Sequence, residues 1–333
     1  MSKTISDIAM IAGVAKSTVS RYLNGGSVSA ATRNKIEQVI KENGYVPNTF
    51  AQSLKAKTAN IIGTIVPRLD SFATSHTLMG IDDQLRKQGC RMLITNTSQD
   101  MNREIEAIYE LARQKISGII LLAARITDEH LEAIESCKIP VLLVGQQHEH
   151  IHSLIHNDYE AGYELGRHVL HQGHRRIAYL GVTEQDIAVG VRRKQGFASA
   201  LAETEGCTVE YYETSFRMSD ARSDMLQLLE QGLDVSVIVC ATDNIALGVM
   251  KAAYEYGVAV PQQLSVTGFG GYDVTEVVHP ALTTIRYPYQ EAGKIAAQDI
   301  VRLVHRQHVQ MVTVMDYELL ERESVDKCGA KNL

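Results

Sequence analysis

Glycine cuts the first 45 residues into three short amphipathic pieces, and this punctuation leaves the segment little freedom in how it folds. Thr4-Ile5-Ser6-Asp7 reads as a capping box, with a hydroxyl at the N-cap and a carboxylate three residues on. Ile8, Ala9, Ile11 and Ala12 give the following helix an apolar side, and Gly13 breaks it. A second helix is predicted over Lys16–Leu23, with Val19 and Leu23 one turn apart and facing inward. Asn24-Gly25-Gly26 stops it. Ser29 caps a third helix, in which Ile36, Val39 and Ile40 recur at helical spacing before Asn43-Gly44 ends it. Two short helices joined by a tight turn and braced by a third predict a helix-turn-helix.

Charge supports a nucleic-acid partner for this segment alone. Residues 1–57 hold eight Lys/Arg against three acids, a net +5, while the whole chain is −6, which leaves −11 for the rest. A basic module on an acidic body meets phosphates with one end only. The second helix would enter the major groove with Lys16, Ser17, Ser20 and Arg21 outward. Arg21 can fork onto the O6 and N7 of a guanine, whereas Thr18 and Ser20 suit phosphates. The residues expected at DNA are Thr4, Lys16, Ser17, Thr18, Ser20, Arg21 and Asn24, followed by Asn48, Ala51, Leu54 and Lys57. Pro47 forbids continuation of the third helix, and Asn48 caps a new one of about two turns, too short to hold alone in water. Leu54, apolar among basic residues, suits a wedge between base steps of the minor groove. The bland alternative is a plain linker with Leu54 packed on the body.

Thr4-Ile-Ser-Asp-Ile-Ala, Ala12-Gly-Val-Ala-Lys-Ser-Thr-Val-Ser-Arg21, Asn43-Gly-Tyr-Val-Pro-Asn48 and Ala51-Gln-Ser-Leu54 together resemble the headpiece, linker and hinge helix of LacI–GalR-type bacterial transcription regulators. The resemblance continues through Ile61-Ile-Gly63, Gly173-His-Arg-Arg-Ile177, Arg193-Lys-Gln-Gly-Phe197, Ala241-Thr-Asp-Asn-Ile-Ala-Leu-Gly248 and Pro280-Ala-Leu-Thr-Thr-Ile285. It covers residues 3–320, and its details are most similar to repressors of sucrose operons in Gram-positive bacteria.

The remaining ~270 residues are enough for two modest cores. Apolar runs at Ile61–Val66, Arg91–Thr95, Gly118–Leu122, Val141–Val144, Arg176–Gly181, Val235–Ala241, Leu264–Phe269 and Leu282–Arg286 alternate with helical stretches such as Gly80–Gln88 and Ile245–Tyr256. Such alternation predicts parallel sheets with helices on both faces, and ligands at the carboxyl ends of the strands. The fold class expected is α plus α/β: a helix-turn-helix headpiece with a hinge helix, then a periplasmic-binding-protein-like core of two doubly wound subdomains. The resemblance implies that the chain crosses between these several times around a sugar-sized cleft. The divisions expected are 1–47 (headpiece), 48–58 (hinge), 59–323 (core) and 324–333 (tail). Within the core, 59–157 plus 289–323 form an N-subdomain and 158–288 a C-subdomain.

By the same resemblance Arg193 is the effector-binding arginine, Thr242 and Asp243 touch the ligand, and Phe216 stacks on a sugar face. Gln146, Asp158, Tyr287 and Tyr289 follow strands and complete the expected cleft, together with Gly270. Three departures stand out. Gly145 and Gly270 sit where the family often has acids that accept sugar hydroxyls, and Ala15 replaces a hydroxyl that commonly caps the recognition helix. Gly270 and Gly271 are expected to let a bulkier or phosphorylated ligand approach the backbone.

Other chemistries find little support. His148, His150, His152 and His156 cluster without a nearby Cys or an HExxH, which predicts an exposed loop and no metal site. No G-x-G-x-x-G, Walker-type lysine or G-x-S-x-G is present. Five scattered cysteines (90, 137, 207, 240, 328) without C-x-x-C suit a reducing cytoplasm. No secretory leader or membrane-length apolar run is evident, which sets aside a periplasmic sugar-binding protein. No heptad leucines follow Leu320, so no coiled-coil tetramer is expected. The reading is a cytoplasmic homodimeric repressor of a sugar, most narrowly sucrose, operon. It is expected to bind near-palindromic duplex DNA and to be released by sucrose, fructose or a phosphate of these, with no cofactor and no enzymatic activity. The alternatives are a sugar-processing enzyme with an appended DNA-binding domain, or a regulator of opposite sign that uses a corepressor.

Overall fold

The computed structural model describes residues 3–23, 26–45 and 60–328. The chain divides into two compact units at Asn60.

The first unit holds three helices, α1 (Ile5–Ala12), α2 (Lys16–Leu23) and α3 (Ala30–Glu42). The capping box forms as the sequence predicts: Thr4 N donates to the Asp7 carboxylate at 2.8 Å, and the Thr4 hydroxyl accepts from Asp7 N. Gly13 closes α1 in the left-handed region, and Ser29 caps α3 through Thr32 N. Ile8, Ala9, Ala12, Val19, Ile36 and Val39 make the core. Ile11 does not join it and is about half exposed, because Ile8 and Ala12 already fill the inward stripe.

In the second unit two six-stranded sheets carry helices on their faces. The first contains β1 (Ile61–Val66), β2 (Arg91–Asn96), β3 (Gly118–Leu122), β4 (Val141–Val144), β5 (Ser153–His156) and β11 (Val312–Met315), in the order β11-β5-β4-β3-β1-β2 and parallel throughout. The second contains β6 (Arg176–Gly181), β7 (Thr208–Glu213), β8 (Val237–Cys240), β9 (Ser265–Gly270), β10 (Thr283–Arg286) and β12 (Glu318–Leu320), in the order β12-β10-β9-β8-β6-β7. Only β12 runs antiparallel to its neighbour. The central strands β3, β4, β8 and β9 are buried along their whole length, and β3, β4 and β8 accordingly read as unbroken apolar runs.

Helices α4 (Phe72–Lys87), α5 (Met101–Arg113) and α6 (Asp128–Cys137) belong to the first sheet. Helices α7 (Asp158–His171), α8 (Arg193–Ala202), α9 (Met218–Glu230), α10 (Asp243–Tyr256) and the short α11 (Val274–Val277) belong to the second. Helix α12 (Tyr289–Val304) returns to the first and packs on α4. The chain therefore passes between the subdomains three times: from β5 to α7, from β10 to α12, and from β11 to β12.

The third passage revises the expected divisions. The N-subdomain segment does not run to residue 323, because β12 pairs with β10, whose free edge needs main-chain partners. Nor does the tail begin at 324. Ser324 is fully buried, its hydroxyl donating to Val266 O at 2.6 Å and accepting from Thr283 N at 2.8 Å.

Close helix crossings fix the walls of the cleft. A Cβ on Gly196 of α8 would lie 1.8 Å from Tyr159 O of α7, and one on Gly162 would lie 2.2 Å from Arg193 O. Only glycine lets these backbones touch, so the pair sets where Arg193 begins α8.

Candidate functional site

In the headpiece, Val19 anchors α2 in the core and Tyr22 ties it to α3 by donating to Glu37 at 3.0 Å. This rotation leaves Lys16, Ser17 and Arg21 exposed, with Thr18 and Ser20 half-buried beside them. Arg21 forms no ion pair among the described residues, and its carbonyl accepts from Gly26 N at 2.8 Å, closing the helix. Thr4 is also exposed, but its hydroxyl is committed to Asp7. Asn24, Asn48, Ala51, Leu54 and Lys57, and with them the expected hinge helix, lie outside the described residues.

In the second unit, the carboxyl ends of both sheets face one cleft. Arg68 follows β1, Gln146 follows β4, and His156 ends β5. Opposite them, Asp186 follows β6, Phe216 follows β7, and Thr242 and Asn244 follow β8. Tyr272 follows β9, and Tyr289 follows β10. Thr74, Thr77 and Gln99 add polar groups on the first-sheet side.

Arg193 lies in the floor, 5% exposed. Its Nε donates to Asp158 Oδ1 at 2.7 Å and its Nη1 to Ala241 O at 2.8 Å. The guanidinium also rests over the rings of Tyr287 (4.8 Å) and Phe269 (5.2 Å). A charge so far from water persists only when paired and hydrogen-bonded, as here. Asp186 caps the π-helical turn Ile187–Arg192 by accepting from Val189 N at 2.9 Å, and burial pushes its pKa up. Burial likewise holds His156 neutral, its pKa pushed down to about 4. Across the cleft, Arg68 rests on Phe216 at 5.2 Å, Phe72 stacks on Tyr272 at 4.2 Å, and Arg125 Nη2 donates to Glu184 O at 2.8 Å.

Family models match both units: the description "Bacterial regulatory proteins, lacI family" covers residues 4–48, and a periplasmic binding protein-like domain covers residues 167–325. The sucrose operon repressor of Staphylococcus xylosus is 42% identical over 316 residues, 95% of this chain and 98% of that protein. The chain belongs to the LacI family of bacterial transcription regulators.

Other relatives agree with this LacI-family assignment. Catabolite control protein A of Priestia megaterium is 26% identical over 93% of this chain and 95% of its own length. The lac repressor dimer bound to operator and the anti-inducer ONPF superposes with a TM-score of 0.89 at 24% identity, over 98% of this chain and 100% of that one, a likeness of fold. The lac repressor bound to ONPG in its repressed state gives 0.88 at 26% identity, over the same shares of the two chains. LacI-family relatives are regulators rather than enzymes, and nothing in these comparisons favours a sugar-processing enzyme or a corepressor-driven regulator.

On the LacI-family frame, Gln146, Asp158, Arg193, Phe216, Thr242 and Tyr289 all line the cleft. Three other expected residues do not. Asp243 is fully buried behind the wall, accepting from Tyr272 N at 2.8 Å and from the Thr284 hydroxyl at 2.5 Å, and Asn244 faces the cleft instead. Tyr287 lies beneath Arg193 as packing. Gly270 gives no room to a ligand: its φ is +145° and the Tyr272 ring fills the place of a side chain, 2.3 Å from where a Cβ would be. Gly271 is likewise blocked by Arg286. The expectation that these two glycines admit a bulkier ligand is therefore wrong. Gly145 does line the cleft, with nothing within 4 Å of its Cβ position. The site missed in the sequence includes His156, Asp186, Tyr272, Arg68 and Asn244. His156, expected in an exposed histidine loop, instead closes β5, and the strand carries it into the cleft. Each of the five lies within a few residues of a strand's carboxyl end, the signal that would have found them.

Among the described residues no helix is long and apolar enough to cross a membrane.

Proposed function

We propose that this chain is a cytoplasmic, homodimeric repressor of a sucrose-utilisation operon, released from a near-palindromic operator by a sugar in the cleft. The observation that carries this reading is the coexistence of two features in one chain. One is an α2 face whose Arg21 is exposed and has no ion-pair partner among the described residues. The other is a cleft whose polar groups come mostly from strand ends of two subdomains. The first suits base-edge contact in a major groove. The second suits a ligand that, by filling the space between subdomains, biases how they sit against each other. The 42% identity to the S. xylosus sucrose operon repressor supports sucrose as the sugar involved.

Within this reading Lys16, Ser17 and Arg21 read base edges, Thr18 and Ser20 meet phosphates, and the segment 48–58 extends the contact. A headpiece reads only a few base pairs, so two copies related by a twofold axis match a palindrome. Asp186, His156, Gln146, Thr242 and Asn244 offer acceptors and donors to sugar hydroxyls, and Phe216 offers a ring face once Arg68 moves aside. The effector must prefer the state that does not bind DNA; a 100-fold preference supplies about 2.7 kcal/mol.

Fluorescence anisotropy with a labelled palindromic duplex tests the reading. The full chain should bind at nanomolar to tens of nanomolar concentration and be released on adding sucrose, fructose or one of their phosphates. Tighter DNA binding with sugar would reverse the sign of the mechanism, and product formed from a disaccharide would make the protein an enzyme.

A further inference from the structure

Charge is distributed unevenly around the cleft. In its centre every guanidinium is matched: Arg193 by Asp158, and Arg68 by Asp70 at 3.0 Å. Asp186 adds a carboxyl and His156 is neutral, so the centre suits an uncharged, hydroxyl-rich body.

A side hollow opens from the centre through Gly145, Gln146, His156 and Ala188, and there the balance changes. Arg125 and Arg192 line it, and neither has an ion-pair partner among the described residues. The Arg125 guanidinium makes one hydrogen bond, to Glu184 O, and its Nε is sealed from solvent with no acceptor. A backbone bond from Ile187 N to Ala124 O, 3.1 Å, holds the Arg125 and Arg192 segments side by side. The one carboxylate lining the hollow, Asp158, is already committed to Arg193. The 14-residue helix α7 also starts in this wall, and the side chain of its N-cap residue Asn157 caps none of its first amides. Two unmatched arginines and free helix amides converging on one hollow are what an oxyanion needs.

We propose that the side hollow is a phosphate subsite, and that the effector is a phosphorylated sugar whose neutral rings occupy the centre of the cleft. Arg125 and Arg192 hold the phosphate oxygens with charge-assisted hydrogen bonds, and the amides at the start of α7 complete the cradle. Because Arg125 already touches the opposite subdomain through Glu184 O, phosphate binding there reports directly on the closure of the two halves.

This inference rests on the sugar-cleft reading, and calorimetry on the full chain separates the two. The probes are sucrose, sucrose 6-phosphate, fructose, fructose 6-phosphate and inorganic phosphate at fixed ionic strength. At least one phosphorylated sugar should bind ten or more times tighter than its neutral counterpart, and inorganic phosphate should bind only weakly. Arg125→Gln with Arg192→Gln should abolish that preference and change the affinity for the neutral sugar less than about twofold, which also shows that the variant is folded. Equal binding of the two forms, tighter binding of the neutral form, or a preference that survives both substitutions overturns the subsite. If inorganic phosphate competes as well as the sugar phosphate, the hollow is an anion site with no sugar attached to it, and the proposal fails. Binding of none of the sugars overturns the sugar cleft as well, while operator binding by the same preparation would leave the DNA-binding reading standing.

Discussion

Arg193 Nε and Asp158 Oδ1 meet at 2.7 Å in the floor of the cleft, with both side chains less than a tenth exposed. Removing one partner strands a buried charge. Arg193→Met should therefore cost about 3–5 kcal/mol in urea unfolding of the second unit, as breaking other buried pairs does. Adding Asp158→Asn should return a large part of that loss. Sugar-driven release from operator should vanish in both variants, and equal costs for the single and double variants would show that the pair is not coupled.

The contact between α7 and α8 through Gly162 and Gly196 positions that arginine. A methyl group on Gly196 must push Tyr159 O away by more than an ångström. Gly196→Ala should lower stability by about 1–3 kcal/mol, in the range for overpacking. It should also weaken ligand affinity without touching the ligand, since Arg193 begins the displaced helix. Calorimetry checks the second effect, and unchanged affinity would show that α8 is not what places the guanidinium.

At the other end of the chain, Arg21→Ala should cost about 1–3 kcal/mol of operator binding and relax the preference at one base pair per half-site. Lys16→Ala should instead weaken binding more evenly across sequences and flatten the salt dependence. Anisotropy titrations against a panel of single-base operator variants, at two salt concentrations, distinguish the outcomes.

Asp243 and His156 give stability opposite pH slopes over nearly the same window. Burial pushes Asp243 up to about 6 from an ordinary value near 3.8, so the native state holds a proton the unfolded chain has lost. Its contribution is fully present below pH 3.8 and falls away as pH rises through 6. His156 is pushed down to about 4 from 6.5, so its penalty is largest below pH 4 and disappears above 6.5. Each amounts to roughly 3 kcal/mol, and between pH 4 and 6 they offset each other. Asp243→Asn should therefore leave a stability that climbs with pH across that range, and His156→Gln one that falls. Parallel slopes in the two variants would refute the assignment.

The headpiece was legible almost atom by atom, because its signals are local. Thr4, Asp7, Gly13 and Ser29 act on neighbours within four residues, and all four do what their positions predict. Strands β1, β3, β4 and β8 were legible for a similar reason, since buried parallel strands need largely apolar runs. Strands β7, β11 and β12 were not. They lie at sheet edges with half-exposed, polar-rich sequences, and their pairing is decided by distant strands with open edges. In the cleft, Arg193 and Phe216 came from the family resemblance, Arg193 within its Arg-Lys-Gln-Gly-Phe motif. Asp243 was misjudged because the residue that N-caps a helix and the one after it point to opposite sides of the wall: Thr242 faces the cleft, while Asp243 turns inward to Thr284. Tyr272 occupies the space that Gly270 leaves, a substitution of one residue's volume for another's that no linear pattern encodes.

The threefold passage of the chain between the sheets means that neither half is a contiguous stretch of gene. A stop codon just before Tyr289 would delete α12 and β11 from the first sheet and β12 from the second in one stroke, so truncation cannot yield a surviving lobe. Loss of the last forty-odd codons should abolish the whole ligand-binding unit and leave the headpiece as the single part able to fold by itself.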